Sequence, residues 1–417
     1  MALTKRAAEY FMDRERVIRH IDNLILIGFC VLVIFLPIAH TETVRGFAFG
    51  LPAGLWIIKM LLIRRILFSR TFLDLPILLF TIVGILSIVT AVDPKYSFQE
   101  FVGEWVKGVF LFYLVANNIR RDQMKYILGA LLAGNVLMVG YGIIDFFLRG
   151  GILFDYKVRA ASLHSGMGTF GTYLLTITPF LVASFLVIKT RSSLRIWIWI
   201  LLCLNIFALI LNFSEGAWVA SAALGVILIL KLFPGKIVIF FLILGFLGIF
   251  FLLPNPSRSF YHRFSDISAP LNHYNARWIL AKFSFEKIME SPFRMIGFGQ
   301  RSFVKKFRGF TKVYKQLWHA HNTFLNIALQ TGLQGVILFF FLLYRILKYC
   351  HEEAKLDENL LEKFYFTGTF MMVVTFFVRN LSDDFFIDDS ALLFWFLVGM
   401  AFALQNHKKK FPFSGIR

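Results

Sequence analysis

Residues 317–335 read LWHAHNTFLNIALQTGLQG, so two histidines, two asparagines and two glycines interrupt a largely apolar region. Imidazole titrates at about 6.5 and suits proton transfer near neutrality. His319 and His321 could instead contribute to a metal site, yet no Cys, Glu or Asp stands nearby at a recognisable ligand spacing. A third reading makes His321 and Asn322 the cap of the apolar run that follows. A polar imidazole at the outer mouth of a membrane cavity favours the chemical role. Gly332 and Gly335, among small and apolar neighbours, would let that run pack closely against other helices.

Cations form the second group. Arg277 and Arg159 could sit in the lipid headgroup layer, or they could share a cavity and hold a diphosphate with their planar guanidinium groups. The stretch GFGQR supplies Gly297, Gly299 and Arg301, as a plain turn or as a further phosphate contact. Glu215, beside Gly216 and Trp218, could cap a helix N-terminus or pair with a cavity arginine. Arg379, Asp383 and Asp384 in FFVRNLSDDFF could line the same rim or form an ordinary polar loop.

The elements that must position these residues are membrane helices. Of 417 residues, 58% are hydrophobic and 17% charged, with a mean hydropathy of +0.69. A soluble domain of this size needs a more polar surface. Apolar runs such as LILIGFCVLVIFLPIA approach the roughly 20 residues that span a bilayer, and they lack the alternation of a transmembrane barrel. Twelve spans are expected, at 23–39, 44–63, 73–91, 101–117, 126–148, 167–188, 195–212, 216–233, 235–253, 322–346, 363–379 and 390–404. The three cysteines fall in or beside apolar runs and suggest no disulfide framework.

Charge placement orients the chain. With a cytoplasmic N-terminus, the inner side receives Arg14, Arg16 and Arg19, then Arg64, Arg65 and Arg70, then Arg120, Arg121 and Lys125, and finally Lys408 to Lys410. Both termini are then cytoplasmic. The net charge of +19 is thus a topology signal rather than a nucleic-acid signal. The domains expected are a cytoplasmic segment 1–22, nine spans over 23–253, an outer loop 254–321, three spans over 322–404 and a cytoplasmic tail 405–417. That loop holds twelve Lys/Arg against three Asp/Glu, and long loops escape the orientation rule. Its basicity suits anionic lipid or a phosphorylated substrate. Apolar residues at helical spacing from Asn275 to Met289 predict a helix inside it, stopped by SPF.

HAHNTFLNIALQTGLQG resembles the signature of the O-antigen ligase family and the related O-antigen polymerases: His321 and Asn322, nine residues, then Gly332 and Gly335. The resemblance extends to the span count, the large loop after the ninth span, and ARW…SPF…GFG before the histidines. It implies an all-α polytopic glycosyltransferase of the GT-C type in the bacterial inner membrane, needing neither cofactor nor metal. Such an enzyme moves a finished glycan from undecaprenyl diphosphate to a sugar hydroxyl of lipid A–core on the periplasmic face, inverting the anomeric carbon. By that resemblance His321 is the base, Arg277 and Arg159 contact the donor diphosphate, and His319 shapes the pocket with Asn322. Family members commonly carry Ser/Thr-Arg where this chain has Ser214-Glu215, a charge reversal beside the expected diphosphate.

Two other functions compete. A polymerase would use the same donor and a second carrier-linked glycan as acceptor. A transporter would show inverted repeats and interrupted helices holding ions near midplane; no repeat is visible, and interior charges beyond Lys59, Glu104, Lys107 and Asp145 are few.

Overall fold

The computed structural model describes residues 2–153, 155, 157–164, 166–187, 193–232, 273–314, 317–356 and 359–410. All regular structure among them is helical. The helices are α1 Ala2–Phe35, α2 Glu42–Ile63, α3 Asp74–Val89, α4 Pro94–Glu100, α5 Lys107–Asn118, α6 Met124–Leu148, α7 Met167–Val187, α8 Ser193–Asn212, α9 Glu215–Leu232, α10 His273–Glu290, α11 Arg301–Lys306, α12 Arg308–Val313, α13 Thr323–Leu356, α14 Leu360–Asn380 and α15 Asp388–Lys410. A π-helical turn, Phe101–Val106, joins α4 to α5.

Among the described residues, seven helices are long and apolar enough to cross a membrane: Arg14–Phe35, Glu42–Ile63, Arg121–Leu148, Met167–Val187, Arg195–Asn212, Thr323–Leu356 and Leu360–Asn380. The chain is therefore a helical polytopic membrane protein. The expected third and eighth spans fall on the shorter apolar helices Asp74–Val89 and Glu215–Leu228. The fourth falls on the π turn and α5, and the twelfth lies within α15. The ninth, 235–253, and residues 254–272 of the outer loop lie outside the described residues. Helix α1 runs through residue 22 without a break, so the expected cytoplasmic segment and first span share one helix.

Helix α7 is central. Of its most apolar window, 89% is buried, whereas α2 buries 17% and turns most of its surface outward. Helix α14 packs along α7, and α15 packs along α5. Trp395, Phe394, Phe396 and Phe402 of α15 are fully buried with Phe112 of α5 and Tyr365 of α14. Wide aromatic side chains suit this setting because packing, rather than exclusion of water, holds helices together in lipid. Interior amides can pair across helices: those of Asn135 and Asn205 bond reciprocally at 2.8 and 3.2 Å.

Helix α13 is broken at Gly332, whose φ of 76° and ψ of 174° lie in a region open essentially to glycine alone. Gly332 was expected to admit a neighbouring helix; here it interrupts its own. A Cβ on Gly335 would lie 1.9 Å from Thr331 Oγ1, so this second glycine lets the two halves close on each other. A break exposes backbone groups that a membrane cannot satisfy, and the outer segment 292–299 supplies partners. Ile296 N donates to Leu329 O at 3.1 Å, Gly297 N to Gln330 O at 3.3 Å, and Leu333 N donates to Pro292 O at 2.9 Å.

The same segment is fastened to the turn before α4. Val92 N donates to Ile296 O at 3.1 Å, and Lys305 Nζ lies 2.5 Å from Asp93 Oδ2. Gly297 has φ of 103°, and a Cβ there would meet Ala91 and Ser97 at 2.4 Å. Helix α10 covers the predicted Asn275–Met289 helix and ends before Ser291. The described part of the expected outer loop is a folded cap packed over the first half of α13.

Candidate active site

Asn322 opens α13. Its Oδ1 accepts from Phe324 N at 2.9 Å and Leu325 N at 3.0 Å, the pattern of a helix N-cap. Its Nδ2 donates to Leu381 O at 2.9 Å, tying the cap to the turn after α14. His321 precedes it with φ of 47°. That left-handed backbone is uncommon outside glycine, and here it turns the chain into the helix. The site is thus built where the entry to α13 meets the connection between α14 and α15.

The His321 imidazole is partly exposed, and its Nδ1 lies 2.9 Å from Asp383 Oδ1. Burial raises the Asp383 carboxyl, but the hydrogen bond and charge of His321, the Asp384 amide and the Arg379 charge together hold it below its ordinary value. An ionised Asp383 accepts from Nδ1–H, which leaves the Nε2 lone pair as the basic atom. His319 is 5% exposed. Its Nδ1 accepts from His321 N at 3.3 Å and lies 3.4 Å from Asn326 Nδ2. Burial, then the nearby His321, lower its pKa to about 3, so it is neutral at physiological pH.

Beneath the pair lies a buried polar layer. Asp384 Oδ2 accepts from Gln300 Nε2 at 2.8 Å and from Asn326 Nδ2 at 2.5 Å. The Thr323 hydroxyl lies 2.5 Å from Asn380 Oδ1 and 2.8 Å from Asp384 Oδ1. Burial raises the Asp384 carboxyl despite those hydrogen bonds. Two adjacent carboxyls are thus driven in opposite directions, and Asp383 is the one kept ionised to orient His321. The layer joins Gln300 to α13 and to the α14–α15 connection, the elements that flank His321 and Asp383.

Arginines surround this mouth. Arg379, at the end of α14, is buried and lies within electrostatic range of Asp383, Arg277 and Arg159. Arg277, in the second turn of α10, is half-buried and also acts on His319. Arg159 is half-buried, and its Nε donates to Asn212 O at 3.0 Å. Glu215 starts α9, and the adjacent Gly216 lies against Arg379 and Ser382. Arg301 behaves differently from the other expected phosphate contacts. It is exposed on α11, its backbone N donates to Tyr96 OH at 3.1 Å, and its charge acts on Tyr96. That hydrogen bond docks the start of α11 onto α4.

His319, His321 and Asp383 each bring a ligand atom within 4.8 Å of the others, close enough for a cation. Spacing in the sequence offered no acid near the histidines; folding delivers one from 62 residues away. Asp383, Asp384 and Arg379 were visible only as a polar cluster after an apolar run. Asn326, Gln300 and Asn380 gave no sequence signal, since isolated amides beside a helix are ordinary.

Residues 200–340 match the family model described as O-antigen ligase. That stretch holds Arg277, both histidines, Asn322 and both glycines, while Arg159, Arg379 and Asp383 lie outside it. A protein of Rickettsia bellii (strain RML369-C) named "Putative polysaccharide ligase" is 27% identical over 281 residues. The match takes in 63% of this chain and 65% of that protein's length, so the chain spans just under two thirds of its relative. The resemblance carried by His321, Asn322, Gly332 and Gly335 is thus borne out: residues 200–340 match the O-antigen ligase family model.

Proposed function

We propose that this protein transfers a glycan from undecaprenyl diphosphate to a sugar hydroxyl of lipid A–core on the periplasmic face of the bacterial inner membrane. The observation that carries the reading is the 2.9 Å contact between His321 Nδ1 and Asp383 Oδ1 at a mouth ringed by arginines. His321 Nε2 accepts the proton of the acceptor hydroxyl. The hydroxyl oxygen then attacks the anomeric carbon, the bond to the diphosphate oxygen breaks, and configuration inverts. Charge grows on the departing diphosphate, and fixed guanidinium groups of Arg277 and Arg159 stabilise that growth more than they stabilise the ground state. His319, Asn322 and Glu215 shape the pocket; Asn322 does so through its cap. Arg301, exposed at the start of α11, adds a further contact to the donor diphosphate.

This reading carries the twelve-span topology with both termini cytoplasmic, the GT-C assignment, and the division at 1–22, 23–253, 254–321, 322–404 and 405–417. The proposed chemistry calls for no metal. The decisive experiment reconstitutes the protein with a lipid-linked glycan and offers either lipid A–core or a second lipid-linked glycan. Glycosylated lipid A–core supports the proposal. A lengthened carrier-linked chain identifies a polymerase, and transfer to neither acceptor rejects both.

A further inference from the structure

Arg379 is a buried charge that the proposed mechanism does not use. It is 4% exposed, and among the described residues it forms no ion pair within 4 Å. Its NH1 donates to Ser382 Oγ at 2.7 Å, while its Nε is buried without a partner. A guanidinium offers five N–H groups, and burying one so sparsely bonded is costly unless an anion completes it.

The side chain is nonetheless held in place. Its guanidinium carbon sits 4.1 Å from the centre of the Phe385 ring, a cation–π arrangement. A Cβ on Gly216 would lie 2.5 Å from NH1, and one on Gly168 would lie 3.7 Å from NH2 and 2.9 Å from Phe385. Two glycines from different helices therefore leave room for this cation and its ring. Such packing fixes the guanidinium plane before any ligand arrives, which reduces the ordering cost of binding.

Arg379 is also not alone. Its charge is in range of Arg277 and Arg159, and Arg277 likewise has a buried Nε with no partner. The charges of Arg277 and Arg159 oppose that of Arg379, and the carboxylate that acts on it, Asp383, is engaged by His321 Nδ1 and the Asp384 amide. A ligand carrying two or more negative charges and many acceptor oxygens matches that arrangement, and a diphosphate ester has this chemistry.

We propose that Arg379 is a diphosphate-binding residue, the buried member of an anion site completed by Arg277 and Arg159. The inference rests on the proposed donor chemistry and adds a residue from α14, outside the stretch that matches the family model.

The test measures binding rather than transfer. Full-length protein in detergent is titrated with farnesyl diphosphate, and with farnesol as the tail-only control. Arg379→Gln should weaken farnesyl diphosphate binding by about 10-fold or more and leave farnesol binding unchanged. Arg379→Lys keeps a charge without the planar fork and should fall between the two. Unchanged farnesyl diphosphate affinity in Arg379→Gln overturns the inference. So does an equal loss of farnesol binding, which would mark a purely structural residue. His321→Ala separates this from the proposed function: it should bind farnesyl diphosphate normally yet fail to transfer. Normal transfer by His321→Ala would reject the base assignment and leave the anion site standing.

Discussion

His321 Nδ1 lies 2.9 Å from Asp383 Oδ1, across 62 residues of chain and between two membrane helices. The contact decides which imidazole nitrogen can act as a base. With Asp383 ionised and accepting from Nδ1–H, the lone pair is on Nε2, directed away from the carboxylate. Asn322 holds this geometry by capping α13 and bonding to Leu381 O in the turn that carries Asp383.

Removing the base tests the site most directly. His321→Ala should reduce glycan transfer by about 100-fold or more, with membrane-inserted protein and its melting temperature retained. Arg277→Ala should abolish transfer as well, through loss of donor contact. Full activity in either purified variant would exclude its assigned role.

Asp383→Asn preserves shape and removes charge. Loss of a charge-assisted hydrogen bond of about 1.5–3 kcal/mol should lower kcat by roughly 10–100-fold, with little change in donor KM. A fall confined to KM would place Asp383 in binding instead.

The break in α13 should tolerate little. Gly332→Ala forces a side chain into φ of 76°, at a cost of about 1–3 kcal/mol. Its melting temperature should drop, and activity should fall with it, because His321 is carried by the same half-helix. A melting curve matching the parent would show that the break relaxes freely.

Acid should destabilise the protein through two histidines, the buried His319 and the half-buried His164. Burial, then neighbouring positive charge, lower both His164 and His319 to about 3. The unfolded chain protonates these groups at about 6.5 while the folded chain does not. Their stability contribution is therefore full above about pH 6.5 and declines progressively as pH falls toward about 3, by up to about 1.4 kcal/mol per pH unit for each group. Melting temperatures followed from pH 8 to pH 5 should fall, and His164→Phe should flatten the slope. Parallel slopes in variant and parent would exclude His164 as a contributor.

Metal dependence separates base from ligand. A chelator should leave transfer unchanged. Added Zn²⁺ should inhibit by engaging His319, His321 and Asp383, whose ligand atoms lie within 4.8 Å of one another, and Asp383→Asn should relieve that inhibition. Loss of activity on chelation would reassign the trio to a cation.

Much was legible from residue order alone. Long apolar runs must become helices in lipid, because only a helix satisfies the backbone within one segment; this located α1, α2, α6, α7, α8, α13 and α14. The helix in the outer loop was readable from spacing, and His321 from its motif. What a linear reading could not supply was proximity. Asp383 looked like part of a polar turn and Arg379 like a helix end, since neither spacing nor composition tells which loops share one mouth. Gly332 shows the same limit: small residues in a membrane helix announce either close packing or a break, and only the positive φ and the carbonyls taken up by Ile296 and Gly297 distinguish them. The sequence by itself determined a helical membrane chain with a histidine at a helix entrance. Tertiary structure alone decided that Asp383 meets that histidine and that Asp384 joins Gln300 to α13, because packing among distant helices sets which charges meet.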